Sequence, residues 1–233
     1  MTKKVKAVVL ASGGLDSSTV LKFAEHKNYD IYVLSFSYGQ RHNIELHYLK
    51  DFLKTIGYIE HKIALIDMRL FGGSSLTDDI EVPSYDAIKK DIEKKSIPNT
   101  YVPARNTIFL SYALAYAEII NATKILIGTY SVDYVDYPDC KNAFIKQFNK
   151  LIKTAIKPSV SSNIKVEAPF ISNTKAQIIN YGLSLNTDYS KTFSCYNPNE
   201  NNLACGKCSA CHFRIKAFHE LGMADPAKYY QQI

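Results

Sequence analysis

Val5-Lys6-Ala7-Val8-Val9-Leu10-Ala11-Ser12-Gly13-Gly14-Leu15-Asp16-Ser17-Ser18 passes from an apolar, valine-rich run through a cluster of small residues into Ser17–His26, which has helical periodicity. A strand that feeds a helix through such a loop lets backbone N–H groups close on an anion at the helix's positive end. The loop lacks the lysine of Gly-x-x-x-x-Gly-Lys-Ser/Thr and the spacing of Gly-x-Gly-x-x-Gly. It therefore does not read as the site of a γ-phosphate-transferring ATPase or of a dinucleotide enzyme.

The pattern repeats outward from this junction. Strand-like Ile31–Ser37 and Ile63–Ile66 enclose a helical segment at roughly 43–56, giving βαβαβ and predicting a parallel sheet. Residues 67–103 carry Gly72, Gly73, Ser74, Ser75, Pro83, Pro98 and Pro103 and read as one long loop, functional or mobile. Arg105–Asn121 is apolar almost all the way round, which predicts a buried helix, and Lys124–Thr129 resumes the strand pattern. Phe144, Ile145, Phe148, Leu151, Ile152 and Ile156 form the inner face of a helix whose outer stripe is Lys146, Lys150, Lys153 and Lys157. That stripe reads as a solvated face. Ile164–Ala168 predicts a last strand, followed by a helix from Asn173 or Thr174 stopped by Gly182, and Phe213–Leu221 a short helix ended by Gly222.

The chain has 233 residues, 46% hydrophobic and 21% charged, a globular composition with room for one domain and a small appended module. The net charge of +6 is local, because residues 141–191 alone carry eight lysines against Glu167 and Asp188. This argues against a polybasic nucleic-acid coat. Val5–Ala11 is short and contains Lys6, and Ile108–Ile120 is thirteen residues long and includes Glu118, so neither reads as a secretion signal or membrane span. The expectation is a soluble, cytoplasmic protein. Four of the five cysteines, Cys195, Cys205, Cys208 and Cys211, fall within seventeen residues. Four soft ligands at these spacings suit a closed tetrahedral Zn²⁺ site that pins down the C-terminal segment, with an iron–sulfur cluster as the competing use.

Ser12-Gly13-Gly14-Leu15-Asp16-Ser17-Ser18 resembles the PP-loop of the ATP pyrophosphatase superfamily, whose members split ATP between the α and β phosphates. Further motifs narrow the likeness: Ser37-Tyr38-Gly39-Gln40-Arg41-His42, Tyr101-Val102-Pro103-Ala104-Arg105-Asn106, Val132-Asp133-Tyr134, Tyr137-Pro138-Asp139-Cys140, and Thr192-Phe193-Ser194-Cys195-Tyr196 before the cysteine triplet. Together, in this order and over nearly the whole chain, they resemble the 7-cyano-7-deazaguanine synthases of queuosine biosynthesis. The chain departs from that family's pattern at Val135-Asp136, Lys141 and Gln177.

The resemblance implies a Rossmann-like, doubly wound parallel sheet of the adenine nucleotide alpha hydrolase type. Residues 1–190 would form the ATP-binding domain and 191–233 a zinc-binding segment packed on it. It implies a ligase that joins ammonia to 7-carboxy-7-deazaguanine, using ATP with Mg²⁺ and one structural Zn²⁺, as a homodimer without nucleic-acid or membrane partners. The ATP contact segment would be Ala11, Ser12, Gly13, Gly14, Leu15, Asp16, Ser17, Ser18, Thr19, Val20 and Leu21, with Asp16 orienting Mg²⁺ or a backbone turn. Asp16, Ser17, Arg105 and Lys175 are the catalytic candidates; Arg41, Arg105 and Lys175 would contact phosphate or carboxylate, with a surface salt bridge as the competing use of each. Asp133, Asp136 or Asp139 would read the guanine-like edge, walled by Tyr134 and Tyr137, unless the three only form an acidic turn, and Cys140 reads as a small buried residue before it reads as a nucleophile. Two rivals are a tRNA-thiolating PP-loop enzyme and a zinc-stabilised module that holds ATP.

Overall fold

A computed structural model describes residues 4–41, 43–93, 96–130, 137–161 and 163–230. Five parallel strands, β1 (Lys6–Leu10), β2 (Asp30–Ser37), β3 (Glu60–Leu65), β4 (Lys124–Leu126) and β5 (Lys165–Glu167), form one sheet in the order β3-β2-β1-β4-β5. The helices are α1 (Leu15–His26), α2 (Glu45–Leu53), α3 (Tyr85–Glu93), α4 (Arg105–Ile120), α5 (Asn142–Ala155), α6 (Pro158–Ser161), α7 (Lys175–Ser184) and α8 (Ser209–Glu220). Chain direction across the sheet reverses between β1 and β4, and the crevice at their carboxyl ends is where a doubly wound sheet binds ligands.

Strand β1 is apolar on both faces because both are covered. Ala7 and Val9 join the core built by α1, α2, α7 and α8, with Leu21, Phe52, Ile179 and Phe218. Val8 and Leu10 join the opposite core, with Leu110 and Ala113 of α4 and Ile145 and Ile152 of α5. Phe193 and the four clustered cysteines belong to that second core, so the C-terminal segment shares buried apolar contacts with the sheet.

Several expectations change. The stretch 67–103 is not wholly irregular, since Tyr85–Glu93 is helical and Ser84 pairs with Cys208, tying it to the cysteine segment. Helix α4 is only half buried, with Tyr112 45% and Ile119 77% exposed, because the sheet covers one side of it. Leu151 also stays half exposed, on the flank of α5 rather than its inner face. Gly182 does not stop α7, which runs to Ser184. Its bare Cα instead makes room for Tyr189, whose Oη would lie 1.9 Å from an added Cβ.

Candidate active site

The loop between β1 and α1 is held by its own side chains. Ser12 Oγ accepts from Gly14 N (3.2 Å), and Ser17 Oγ accepts from Ser12 N (3.2 Å) while donating to Gly14 O (3.1 Å). Gly13 is required twice over. Its φ is +93°, and an added Cβ would sit 2.1 Å from the carbonyl oxygen of Glu45, because the first turn of α2 rests directly on the loop. Gly128, just past β4, admits the start of α1 in the same way, with Ser17 N 3.0 Å from an added Cβ.

A cavity of about 250 Å³ opens over this junction. Of the predicted contact segment, Ala11, Ser12, Gly14, Leu15, Asp16 and Ser17 line it. Gly13 lies beneath, against α2. Ser18, Thr19, Val20 and Leu21 turn into the protein, Thr19 Oγ1 meeting Tyr189 Oη at 2.8 Å. The Thr129 hydroxyl, at the mouth of β4, is buried on the cavity wall with no hydrogen-bond partner among the described residues. A polar ligand in the cavity would satisfy it.

Lys175 and Arg105 come into the cavity from opposite sides. Lys175 opens α7, whose capping box uses Thr174 and Gln177. The glutamine at 177 thus does a helix-capping job that glutamate would do equally well. Lys175 Nζ reaches Asp16 at 2.6 and 2.7 Å and lies 4.2 Å from the Tyr130 ring centre. The pair joins the start of α7 to the start of α1. Arg105 opens α4 after Ala104, which holds the left-handed conformation at φ 54°. Burial works against its charge, but Tyr38, Cys140, Tyr196 and Asp139 around it keep the guanidinium firmly protonated.

The remaining predicted contacts separate. Arg41 donates to Asp78 O (2.9 Å) and to Asp79 Oδ1 (3.1 Å) in the segment after β3, and it does not line the cavity. Tyr137 lines it, its hydroxyl 2.7 Å from Thr100 Oγ1. Asp139 is buried behind the wall, where Oδ2 accepts from Asn106 N (3.1 Å) at the start of α4. Asp133, Tyr134 and Asp136 lie outside the described residues. Cys140 lines the cavity beside Arg105, and burial pushes its thiol up to about 12, so near neutral pH it is protonated. That does not favour a resting nucleophile.

Glu45 was not singled out from sequence. Its position near the start of an amphipathic helix reads as ordinary first-turn acidity. The structure buries it on the cavity wall beside the phosphate loop, where burial pushes its carboxyl up to about 8 against the pull of Arg105, Gln40 and Ser12. Arg214 was also missed as a structural centre. Its guanidinium holds Asp225 (2.8 Å), Thr192 Oγ1 (2.8 Å) and Tyr189 O (2.9 Å), with both ion-pair partners under 5% exposed. Thr192 leads into Phe193, whose N–H donates to Gly13 O at 2.9 Å.

The sulfur atoms of Cys195, Cys205, Cys208 and Cys211 all lie within 4.8 Å of one another and are buried. A tetrahedron with metal–sulfur distances of about 2.3 Å needs sulfur–sulfur edges of roughly 3.8 Å, and Cys205 and Cys211 are 3.9 Å apart. Backbone N–H groups of Asn197, Cys205, Lys207 and Cys208 point at these sulfurs from 3.2 to 3.4 Å, as suits thiolates. The four residues fit a metal ion.

The model of the family described as "Queuosine biosynthesis protein QueC" matches residues 6–222. The chain is 51% identical over 229 residues to the 7-cyano-7-deazaguanine synthase of Desulfatibacillum aliphaticivorans, covering 97% of each chain. It is 48% identical to that of Rickettsia felis, covering 96% of this chain and 99% of the relative. Among solved structures, NMN synthetase from Francisella tularensis aligns over 94% of this chain and 78% of its own, at 13% identity and a TM-score of 0.47. The family match and the full-length relatives, for a chain whose Ser12–Ser18 loop lies at the switch point of a doubly wound sheet, place it in the QueC family of queuosine biosynthesis proteins.

Proposed function

We propose that this chain is an ATP-dependent ligase that converts 7-carboxy-7-deazaguanine and ammonia to 7-cyano-7-deazaguanine. The observation that carries the reading is the single cavity in which the phosphate loop, the Lys175–Asp16 pair and Arg105 meet. A carboxylate oxygen is a poor leaving group, so ammonia cannot displace it at neutral pH. Transfer of AMP from ATP makes the oxygen a good one, and ammonia then gives the amide. Removing the amide oxygen to reach the nitrile needs the same activation again, hence two ATP per turnover.

The chain's part is positioning and charge neutralisation. The N–H groups of the loop and the start of α1 cradle the phosphates. Lys175 and Arg105 offset charge on the transferred phosphate and the substrate carboxylate. Asp16 faces the polyanion across Lys175 and is the carboxylate suited to the Mg²⁺ that accompanies ATP. Tyr137 walls the planar ring. In this reading Tyr134 shares that task and Asp133 accepts from the base edge. Asp139 is less free for that role with Oδ2 engaged at the start of α4, and Arg41 enters only if it leaves Asp79. The cysteine cluster holds Zn²⁺, which with four protein sulfurs activates no water and serves structure. A cytoplasmic homodimer belongs to the same reading, supported by the exposed apolar Tyr112 and Ile119 on α4.

Product analysis tests the reaction. AMP and pyrophosphate formed only with the deazaguanine acid support it, whereas ADP with orthophosphate, or turnover that requires tRNA, overturns it.

A further inference from the structure

The motif Ser37-Tyr38-Gly39-Gln40 has a task that phosphate or base recognition does not absorb. Gln40 is locked from three sides: its Oε1 accepts from Tyr38 N at 2.7 Å, and its Nε2 donates to Phe36 O (3.2 Å) and Glu45 Oε1 (3.4 Å). The chain thereby fixes one carboxyl group, that of Glu45, on the wall of the cavity. Glu45 also hydrogen-bonds Ser12 of the phosphate loop. Its backbone is pressed against Gly13, which fixes where the side chain starts, while Gln40 and Ser12 hold the carboxyl at the loop.

Ionising a carboxyl buried beside a site for ATP is unfavourable unless something cationic comes to meet it. Arg105 supplies part of that charge, yet it enters from α4 and interacts with Tyr38 as well. The ligase reading requires a second, small cation. Ammonia is present in water near neutral pH mainly as ammonium, which has no lone pair and cannot attack. It must be bound next to the activated carbon and lose a proton there.

We propose that Glu45 is the ammonium-binding carboxylate and the base that releases ammonia onto the acyl adenylate. This inference rests on the function proposed above. Glu45 takes one proton from ammonium and becomes neutral, and the nitrogen lone pair forms the C–N bond. The C–O bond to AMP breaks, and its electron pair leaves with the phosphate. The second proton lost by the nitrogen passes through the departing phosphate to water, and Glu45 returns its own proton to solvent when the cavity opens to product release.

Among the described residues, the charged and titratable groups that face Glu45 are Arg105 from α4 and Tyr38 from the turn after β2, with Gln40 and Ser12 as neutral partners. A carboxyl pushed up to about 8 by burial is mostly protonated near neutral pH, so ammonium binds as that proton leaves to solvent, and the carboxylate so formed is a far stronger base toward ammonium than an exposed glutamate would be.

The experiment compares the wild-type chain with Glu45→Gln and Glu45→Asp, using ammonium chloride as the probe. ATP–pyrophosphate exchange with 7-carboxy-7-deazaguanine and no ammonium reports adenylation alone. Glu45→Gln should keep exchange within about threefold of wild type while the KM for total ammonium rises at least about tenfold at neutral pH. Its residual rate should follow free ammonia and keep climbing with pH, where the wild-type rate levels off. Glu45→Asp should recover part of the ammonium affinity. Unchanged ammonium KM and pH profile in Glu45→Gln overturn the assignment, and so does a loss of exchange that parallels the loss of overall rate. Absence of exchange in the wild type itself overturns the ligase reading, and the role of Glu45 falls with it.

Discussion

At the scale of single residues, the cavity places opposite charges where each has a partner only as long as the fold is intact. Lys175 and Asp16 show this, with side chains 10% and 26% exposed and Nζ within 2.7 Å of both carboxylate oxygens. Lys175→Met removes the ammonium group that Asp16 is paired with. The expected outcome is a loss of at least about 100-fold in pyrophosphate exchange and a stability loss of about 1–2 kcal/mol, reduced from the fully buried case by Asp16's contact with water. Exchange kinetics and urea melts measure both. Glu45 gives a prediction without any substrate. Its folded-state pKa of about 8 lies above the ordinary glutamate value, so between those limits the folded state binds the extra proton. The stability contributed by neutral Glu45 is therefore present at low pH and lost as pH rises through about 8, with a slope of at most about 1.4 kcal/mol per pH unit. The difference in unfolding free energy between wild type and Glu45→Gln, measured from pH 5 to 9, should carry that slope, and a flat difference overturns it.

Among the elements, the strands were legible because both faces of β1 and β2 are buried, so the valine and isoleucine runs stand out whatever the register. Strand β4 was read too long, to Thr129, because Ile127, Gly128 and Thr129 continue the apolar pattern after the ladder ends at Leu126. Those residues line the cavity instead. Helix α3 is hidden among turn-forming residues, and α4 reads as buried because periodicity does not say which apolar flank the sheet leaves open. The loop from β1 to α1 was read correctly as a strand–helix junction, but nothing local in it announces that α2 is its floor. That contact predicts the cost of Gly13→Ala. The substitution must relieve both a positive φ and a 2.1 Å approach to Glu45 O, so α2 has to shift. We expect a loss of about 2–4 kcal/mol together with a rise in the ammonium KM, because Glu45 moves with α2. A thermal melt and the ammonium titration check the two effects separately.

On the scale of the whole molecule, the candidate site combines parts far apart in sequence, which sets a limit on what a linear reading finds. Motifs with fixed spacing, such as the phosphate loop and Cys205-x-x-Cys208-x-x-Cys211, are visible because their chemistry is local. Glu45 and Arg214 are not, since each matters only through partners brought by other elements, such as Arg105 for the first and Asp225 with Thr192 for the second. The route from the cysteines to the phosphate loop is short in space: Cys195 follows Thr192-Phe193-Ser194, Phe193 N binds Gly13 O, and Ser194 Oγ accepts from Leu15 N at 3.5 Å. Metal loss should therefore do more than fray the C-terminus. Once the ion is gone, four buried sulfurs within 4.8 Å cannot all stay thiolates and must take up protons or move apart, and the loss of the tie falls on the segment that braces the loop. Elemental analysis of the purified protein should find one zinc per chain, and Cys208→Ser should lower it. Stripping the metal with a chelator should lower the melting temperature by at least about 10 °C. Under milder chelation that leaves helix content intact, pyrophosphate exchange should decline while ammonium KM is preserved in the remaining active fraction. Folded, fully active protein without metal, or iron with sulfide in its place, would remove zinc from this account of the loop's support.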